Sequence, residues 1–173
     1  MRFLTAAECD GRAQQAGIKR PGGRKPARHL LRLVYQSRMT NADAVASALV
    51  ACLGPYDWAI VWAYDLPWGD RSRDADPPPD WRDYAAWRLR RGERRSLCDV
   101  PGHEFDANDD KEVGTVIRAA ICMGWDAWVF SSPLGCMIDL SHDDIITVLS
   151  RNEITEPAGR LFELGFRRVF RTG

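Results

Sequence analysis

The apolar run WAIVWAY, residues 58–64, is the segment that most constrains the fold. It has the length of a β-strand, and both of its alternating faces are hydrophobic. A strand with two hydrophobic faces has to be covered on both sides, so we expect it in the centre of a sheet. Gly54 and Pro55, shortly before it, are typical of a helix end.

Five helices are predicted from capping residues and from apolar positions that recur at helical spacing. Thr5 and Glu8 form a capping box at the start of the first helix. The predicted limits are Thr5 to Gly17, Thr40 or Asn41 to Leu53, Asp80 to Arg91, Asn108 to Gly124 and Pro157 to Leu164.

Short strand-like segments occupy much of the remaining chain. They are residues 30–36, 125–130, 136–140, 145–150 and 166–170. Consecutive short strands pair most simply as an antiparallel meander. A chain of 173 residues suits one domain, so we expect a single α+β domain over residues 1–173, with an antiparallel or mixed sheet and helices packed on it.

Three stretches are predicted to be irregular. Residues 18–28 hold two prolines, two glycines and five basic side chains, which is typical of an exposed loop. Residues 65–80 form a surface loop rich in proline and aspartate, in which the three successive prolines favour an extended polyproline conformation. The segment CDVPGHEFD, residues 98–106, is also expected to lack regular structure.

The formal net charge is zero, but the charge is unevenly distributed. Residues 1–40 carry nine Lys and Arg against two acids, whereas the rest of the chain is acidic. A basic end on an acidic body is compatible with nucleic acid binding through the segment 18–38. The stretch IKRPGGRKPARH lacks the interleaved aromatics of a stacking platform, so another protein is the favoured partner.

Five cysteines without a Cys-x-x-Cys pair predict free thiols in a reduced, cytoplasmic protein. We expect no cofactor and no structural metal, because zinc ligands come in close pairs and because the phosphate-binding glycine motifs are missing from the sequence. No apolar run reaches the length of a membrane span. The start, MRFLTAAECD, turns acidic too early for a secretory signal.

The segment SHDD, residues 141–144, raises the main question of chemistry. His142 beside Asp143 or Asp144 could act as a base oriented by a carboxylate, or contribute to a metal site. Ser141 cannot be its nucleophile, because adjacent residues of a strand point to opposite faces. The β-branched run that follows favours a hairpin turn, with these polar side chains directed into solvent.

His103 lies in a second polar segment, PGHEF. If this segment packed beside SHDD, two histidines and several carboxylates would share one edge of the sheet. A common metal ion would require the imidazole nitrogens of His103 and His142 within ~4 Å of each other, since each would lie ~2.1 Å from the ion. The favoured alternative is an ordinary loop in which His103 bonds a backbone carbonyl.

Most of the seven tryptophans are predicted to be core, but Trp68 and Trp81 flank the proline segment. Exposed aromatics beside a rigid loop, with arginines nearby, are typical of protein interaction surfaces. Trp68, Trp81, Arg71 and Arg73 are therefore the candidate interaction residues. Two alternatives stay open: Trp68 anchors the loop to the body, and helical spacing turns Trp81 inward.

Several segments together resemble a family of uncharacterised bacterial proteins. They are WAIVWAY with the Trp-Gly turn after it, PGHEF, GWDAWVF and SHDD, and they cover most of residues 40–150. The resemblance implies one compact domain. It implies no activity, and it gives no residue a role.

Two functional hypotheses follow. The leading one is a non-enzymatic binding or accessory protein, similar in character to small immunity or antitoxin-like proteins, because an acidic body is combined with aromatics near a rigid loop. The second is a small metal-dependent or hydrolytic enzyme that uses His103, His142 and neighbouring acids.

Overall fold

The computed structural model describes residues 1–18, 29–35, 41–71, 74, 76–151 and 153–168. Within these residues, eight strands form one open antiparallel sheet with five helices packed on it, which confirms the predicted α+β class. The strands are β1 (Arg2–Leu4), β2 (His29–Tyr35), β3 (Trp58–Asp65), β4 (Gly102–Asp106), β5 (Asp126–Ser132), β6 (Cys136–Ser141), β7 (Ile145–Ser150) and β8 (Phe166–Arg168). The helices are α1 (Ala6–Gln15), α2 (Ala42–Leu53), α3 (Pro79–Arg90), α4 (Asp110–Met123) and α5 (Thr155–Glu163).

The strand order is β1-β4-β3-β5-β6-β7-β2-β8, and every neighbouring pair is antiparallel. The meander predicted for the last third is confirmed, because β5, β6 and β7 are consecutive both along the chain and in the sheet. The apolar run WAIVWAY lies in β3, between β4 and β5.

Both faces of β3 are buried, as its sequence predicts. Val61 packs into a large core with side chains of α2, α3, α4 and α5. Ile60, on the opposite face, packs into a smaller core with Cys9 and Ala13 of α1. Each fully buried Val or Ile contributes about 1.5–3 kcal/mol, so the two layers on β3 fix the centre of the sheet.

Several helix ends lie where the sequence predicts them. The Glu8 N–H donates to Thr5 Oγ1 at 3.3 Å and the Thr5 N–H donates to Glu8 Oε2 at 2.8 Å, which is the predicted capping box. Asn41 Oδ1 accepts from the Ala44 N–H at 3.0 Å at the start of α2. Gly124 ends α4 in the left-handed conformation, with a φ of 60°.

Two predicted helix caps are wrong. Helix α3 begins at Pro79, and proline is tolerated there because backbone N–H groups in the first turn have no partner within the helix. Asp80 lies inside the helix, where its carboxylate accepts a hydrogen bond from Arg118 at 2.8 Å. Helix α4 is preceded by Asp109, whereas Asn108 adopts a left-handed φ of 74° one residue earlier. Asp80 therefore pairs with Arg118, which is distant along the chain, and does not cap the helix.

The prediction of an irregular segment at residues 98–106 is wrong in its second half, which forms β4. This strand lies between β3 and β1, with His103 paired to Val61 and to Phe3. Its sequence, GHEFD, contains one aromatic residue and no β-branched residue, so its local strand signal is weak. Pairing with distant segments supplies its hydrogen bonds.

Some predictions fall on residues outside the described part of the chain. They concern residues 19–28 of the basic loop, residues 36–40, Arg73 and the last residues of the predicted closing strand. Within the segment 18–38, residues 29–35 form β2, and Ile18 is buried, contrary to the prediction of an exposed loop. Among the described helices, none has the length and apolar character needed to cross a bilayer.

Candidate functional site

His103 is fully buried in the large core, on strand β4. Its Nε2 lies 2.7 Å from the hydroxyl of Tyr84, and its Nδ1 lies 3.3 Å from the carbonyl oxygen of Val61. The rings of Phe3 and Trp87 pack beside the imidazole, with centroids 5.5 and 5.9 Å away. The predicted bond to a carbonyl is confirmed, but the residue lies in a strand and not in a loop.

Burial lowers the pKa of His103 to about 3, because a charged imidazole would lose its hydration there. The ring is therefore neutral at pH 7. Its Nδ1–H then donates to Val61, and its Nε2 accepts from Tyr84. Both ring nitrogens are used inside the core, so His103 has a structural role.

His142 lies in the turn between β6 and β7, where the sequence predicts a hairpin bend. Asp144 closes the bend with a left-handed φ of 59°. The backbone N–H of His142 donates to Asp126 Oδ1 at 2.8 Å, and its Nδ1 lies 2.9 Å from the same oxygen. The turn is confirmed, but the imidazole has a carboxylate partner from β5 that the sequence analysis did not name.

The pKa of His142 is raised above its ordinary value, chiefly by the hydrogen bond to Asp126 and further by the charges of Asp126, Asp143 and Asp65. A carboxylate only accepts hydrogen bonds, so Nδ1 carries the proton that faces Asp126. Nε2 lies 3.5 Å from Asp143 Oδ1. Ser141 Oγ accepts from the Asp143 N–H at 3.3 Å, so the hydroxyl is engaged with the turn.

This arrangement is a base oriented by a carboxylate, but its second nitrogen faces another carboxylate, and no nucleophile of the described residues contacts it. His142 and Asp143 therefore form a polar turn next to Asp126. The stretch also borders a cavity of about 30 Å³ between α4 and the β6–β7 turn. That volume is about one water molecule, far below the ~300 Å³ at which small-molecule sites begin.

The structure does not bring His103 and His142 together. His103 lies on β4, and His142 is bound to Asp126 at the start of β5, with β3 between these two strands. Strands separated by one neighbour are about 10 Å apart. The contacts of the two histidines share no residue, and among the described residues no group of three or more His, Cys, Asp or Glu is placed to hold a metal ion.

Trp68 is the most exposed large apolar side chain among the described residues, with 70% of its surface accessible. It lies in a tight turn after β3, in which the Leu66 N–H donates to Asp65 and the Gly69 N–H donates to the Leu66 carbonyl, both at 2.8 Å. Its indole Nε1 lies 3.2 Å from the point that a Cβ on Gly124 would occupy. The ring therefore rests by one edge on the end of α4 and is otherwise open.

The same part of the molecule collects aromatic and acidic side chains. The His142 Cβ lies 4.0 Å from the Gly124 point that Trp68 approaches, so the turn after β3 and the β6–β7 turn are adjacent. On β3, the Tyr64 hydroxyl donates to Asp139 Oδ1 at 3.2 Å, and its ring packs 5.1 Å from that of Trp128. We call this region the acidic end; its residues are Tyr64, Asp65, Trp68, Asp126, Asp139, His142, Asp143 and Asp144.

The negative charge of the acidic end contributes to raised pKa values of Tyr64 and His142. Burial raises the pKa of Tyr64, and the charges of Asp139, Asp126 and Asp65 raise it further. The pKa of His142 is raised by its hydrogen bond to Asp126 and by the negative charges of Asp126, Asp143 and Asp65. Both groups therefore favour their protonated forms, Tyr64 chiefly because it is partly buried and His142 chiefly because of its hydrogen bond to Asp126, and the nearby carboxylates add to both shifts.

The other candidate interaction residues differ from Trp68. Trp81 is only 3% exposed and packs against Tyr84 and Trp125, so its assignment to an interaction surface is wrong and its inward helical position is confirmed. Trp81, Tyr84 and Trp87 lie at helical spacing on α3 and all are buried, so this face of the helix packs into the large core. Arg71 is exposed and pairs with Asp74 at 2.6 Å within its own loop, and Arg73 lies outside the described residues.

The members of the site that sequence reasoning missed are Tyr64, Asp65, Asp126 and Asp139. Asp126 opens a strand of otherwise buried residues, and a charged residue at that position is a signal that a partner is needed. Tyr64 was counted with the apolar run, although its hydroxyl and its place at the strand end indicate an exposed position.

Comparison with known proteins adds no relative: no family model, no curated protein and no solved structure matches this chain.

Proposed function

We propose that this chain is a non-enzymatic binding protein, of the accessory, immunity or antitoxin-like kind, that engages a partner protein through the acidic end. The observation that carries the proposal is the position of Trp68, an indole that is 70% exposed on a turn held by backbone hydrogen bonds. Tryptophan is among the residue types that dominate the energy of protein interfaces.

Burial of the exposed Trp68 indole by a partner would contribute a large part of the binding free energy. A tryptophan side chain buries about 150–250 Å² when covered, and apolar area contributes about 25 cal/mol per Å². Covering the exposed part of Trp68 would therefore contribute on the order of 3 kcal/mol. That is the size of an interface hot spot.

The turn that holds Trp68 lowers the loss of conformational entropy on binding. The hydrogen bonds at Leu66 and Gly69 fix the backbone, and the edge of the indole lies against Gly124. A side chain that is already ordered loses little conformational freedom when a partner covers it. The geometry therefore supports Trp68 as an anchor for binding.

Two other exposed apolar side chains provide matched controls. Leu89 on α3 is 60% exposed and Phe162 on α5 is 44% exposed. Single exposed apolar residues are common on protein surfaces and need no function. If Trp68 marks the interface, its removal has an effect that the removal of Leu89 or Phe162 does not have.

The test compares partner capture by the wild-type chain with capture by the Trp68→Ala, Leu89→Ala and Phe162→Ala variants, followed by titration of the purified partner. We expect Trp68→Ala to weaken binding at least about tenfold, which corresponds to ~1.4 kcal/mol, and the two controls to bind as the wild type does. Unchanged far-ultraviolet circular dichroism and melting temperature would show that the variants are folded. Equal binding by all four chains would contradict the proposal.

A further inference from the structure

We infer that the partner docks on the acidic end with a basic segment, and that an Arg or Lys side chain of this segment lies against the Trp68 indole among the surrounding carboxylates. The inference rests on the proposed function and names the chemistry of the partner. It is carried by an exposed aromatic ring and by the charges next to it.

Four carboxylates of the acidic end differ from many acidic residues of the described chain in having no arginine partner there. Among the described residues, no Lys or Arg forms an ion pair with Asp65, Asp126, Asp143 or Asp144, and the only positively chargeable side chain paired there is His142. Elsewhere in the described chain, arginines pair with acidic side chains on α1, α2, α3, α4, α5 and β4. Among the described residues, Asp65, Asp126, Asp143 and Asp144 therefore carry negative charge that no arginine or lysine offsets.

The indole and the carboxylates are close enough to act on one ligand group. Trp68 Nε1 and the His142 Cβ both approach the same point above Gly124, within 3.2 and 4.0 Å. The His142 imidazole in turn lies 2.9 Å from Asp126 and 3.5 Å from Asp143. Asp126 is paired in the sheet with Asp65, three residues before Trp68.

A cationic side chain is the group that uses both features. A guanidinium or ammonium group is attracted to the face of an indole, most strongly for tryptophan, and also pairs with carboxylates. The apolar stem of Arg or Lys would cover the ring while its charged head reaches the acidic side chains. Nucleic acid does not fit this surface, because its phosphates would be repelled by the same charges.

The experiment uses three short synthetic peptides of equal length in which glycine alternates with arginine, with glutamine or with glutamate. Binding is followed by the indole N–H signal of Trp68 in two-dimensional NMR spectra, assigned by its loss in the Trp68→Ala chain. We expect the arginine peptide to shift this signal, and the glutamine and glutamate peptides to leave it in place. Added salt should weaken the binding, because exposed charge pairs are screened.

Two sets of variants distinguish the contribution of the indole from that of the carboxylates. The affinity for the arginine peptide is measured by calorimetry. Trp68→Ala should weaken the arginine peptide about five- to tenfold through loss of the cation–π contact and ring coverage. The pair Asp143→Asn and Asp144→Asn should weaken it about threefold. The matched control is Asp83→Asn, which removes an exposed carboxylate on α3 and should leave the affinity unchanged.

The outcomes separate this inference from the proposed function. If the glutamine peptide shifts Trp68 as strongly as the arginine peptide, or if no peptide shifts it, the inference is overturned, and Trp68-dependent capture of a partner would still uphold the function. If the arginine peptide binds in a manner that depends on Trp68 but no partner protein does, the inference is supported and the proposed function fails. Equal affinity of the Asp83→Asn and Asp143→Asn/Asp144→Asn chains would count against the role of the charges.

Discussion

The region around β4 and the acidic end contain similar residue types in opposite arrangements. At β4, Arg2 lies 3.5 Å from Glu104, and Arg12 forms a shorter ion pair with the same carboxylate. On the other face of β4, His103 is enclosed and both of its nitrogens are bonded. At the acidic end, His142 is partly exposed, and its carboxylate neighbours Asp126 and Asp143 have no arginine partner among the described residues.

The difference shows how charge is used in the two places. A buried carboxylate such as Glu104 is costly unless it is paired, so Arg2 and Arg12 contribute to stability by pairing with it. The exposed carboxylates around Trp68 stay hydrated and cost little, so the fold does not require partners for them. They remain available to a binding partner, and four predictions test this contrast.

The largest effect is expected from acid, through His103. Its pKa is about 3 in the folded chain and about 6.5 when unfolded, so the unfolded state takes up the proton first as the pH falls. Between about pH 6.5 and pH 4, His103 alone should lower the free energy of unfolding by about 3 kcal/mol. Urea denaturation across this range measures the effect.

His142→Gln should keep this acid sensitivity, whereas His103→Gln should lose most of it. If His103→Gln does not fold, NMR of the wild-type chain decides the question, because the His103 ring should remain neutral at about pH 4.5. A His103 ring that becomes protonated near pH 6.5 in the folded chain would contradict the buried, structural role assigned to it.

Because the chain is closely packed beside Gly102 on β4, we expect one added methyl group to lower the stability strongly. A Cβ on Gly102 would lie 2.1 Å from Cys9 Sγ and 2.9 Å from the Leu4 Cβ, so α1 would have to move. We expect Gly102→Ala to destabilise the chain by about 3 kcal/mol in chemical denaturation. The control is Gly11→Ala on α1, which meets nothing within 4 Å and should stabilise by about 0.5–1 kcal/mol. Equal effects of the two substitutions would remove the packing argument.

Removing charge from the two regions should have unequal effects on stability. Arg12→Gln leaves the buried Glu104 carboxylate with only the longer contact to Arg2, and we expect a loss of about 2 kcal/mol, below the range for fully buried pairs because Arg12 is partly exposed. Asp143→Asn should change the free energy of unfolding by no more than about 0.5 kcal/mol. Similar losses in the two variants would show that the acidic end also serves stability.

The smallest effect concerns the titration of His142. Since its folded pKa is raised, its interaction with Asp126 stabilises the chain fully below about pH 6.5 and is lost as the pH rises through the raised value. The wild type should therefore exceed His142→Gln in melting temperature at acidic pH, and the difference should vanish at alkaline pH. NMR titration should give a midpoint above 6.5 that Asp126→Asn returns toward the ordinary value.

Elements of this fold that depend on local interactions could be predicted from the sequence, whereas elements that depend on distant contacts could not. Helix α1, the start of α2, β3 and the meander of β5, β6 and β7 were predicted, because caps and apolar periodicity are local signals. Strand β4 was missed, because GHEFD has only a weak local strand preference and acquires its structure from pairing with β3 and β1. Asp80 was assigned as a cap because its ion pair with Arg118 is not visible along the chain.

The candidate site shows the same limit. The exposure of Trp68 was one of two alternatives that the sequence left open, and the hairpin at SHDD followed from the β-branched residues after it. The pairing of His142 with Asp126, and the contact of the Trp68 turn with Gly124, join segments that are distant along the chain. Such contacts depend on strand order, which residue patterns do not specify.

Photo-crosslinking from position 68 tests the central claim most directly. Trp68→p-benzoylphenylalanine places a reactive aromatic group on the exposed turn, and the same group at Leu89 on α3 serves as the control. We predict one crosslinked partner from position 68, joined through a peptide that contains Arg or Lys beside the attachment point, and little product from position 89. Equal crosslinking from both positions, or attachment to a partner segment without basic residues, would contradict the account.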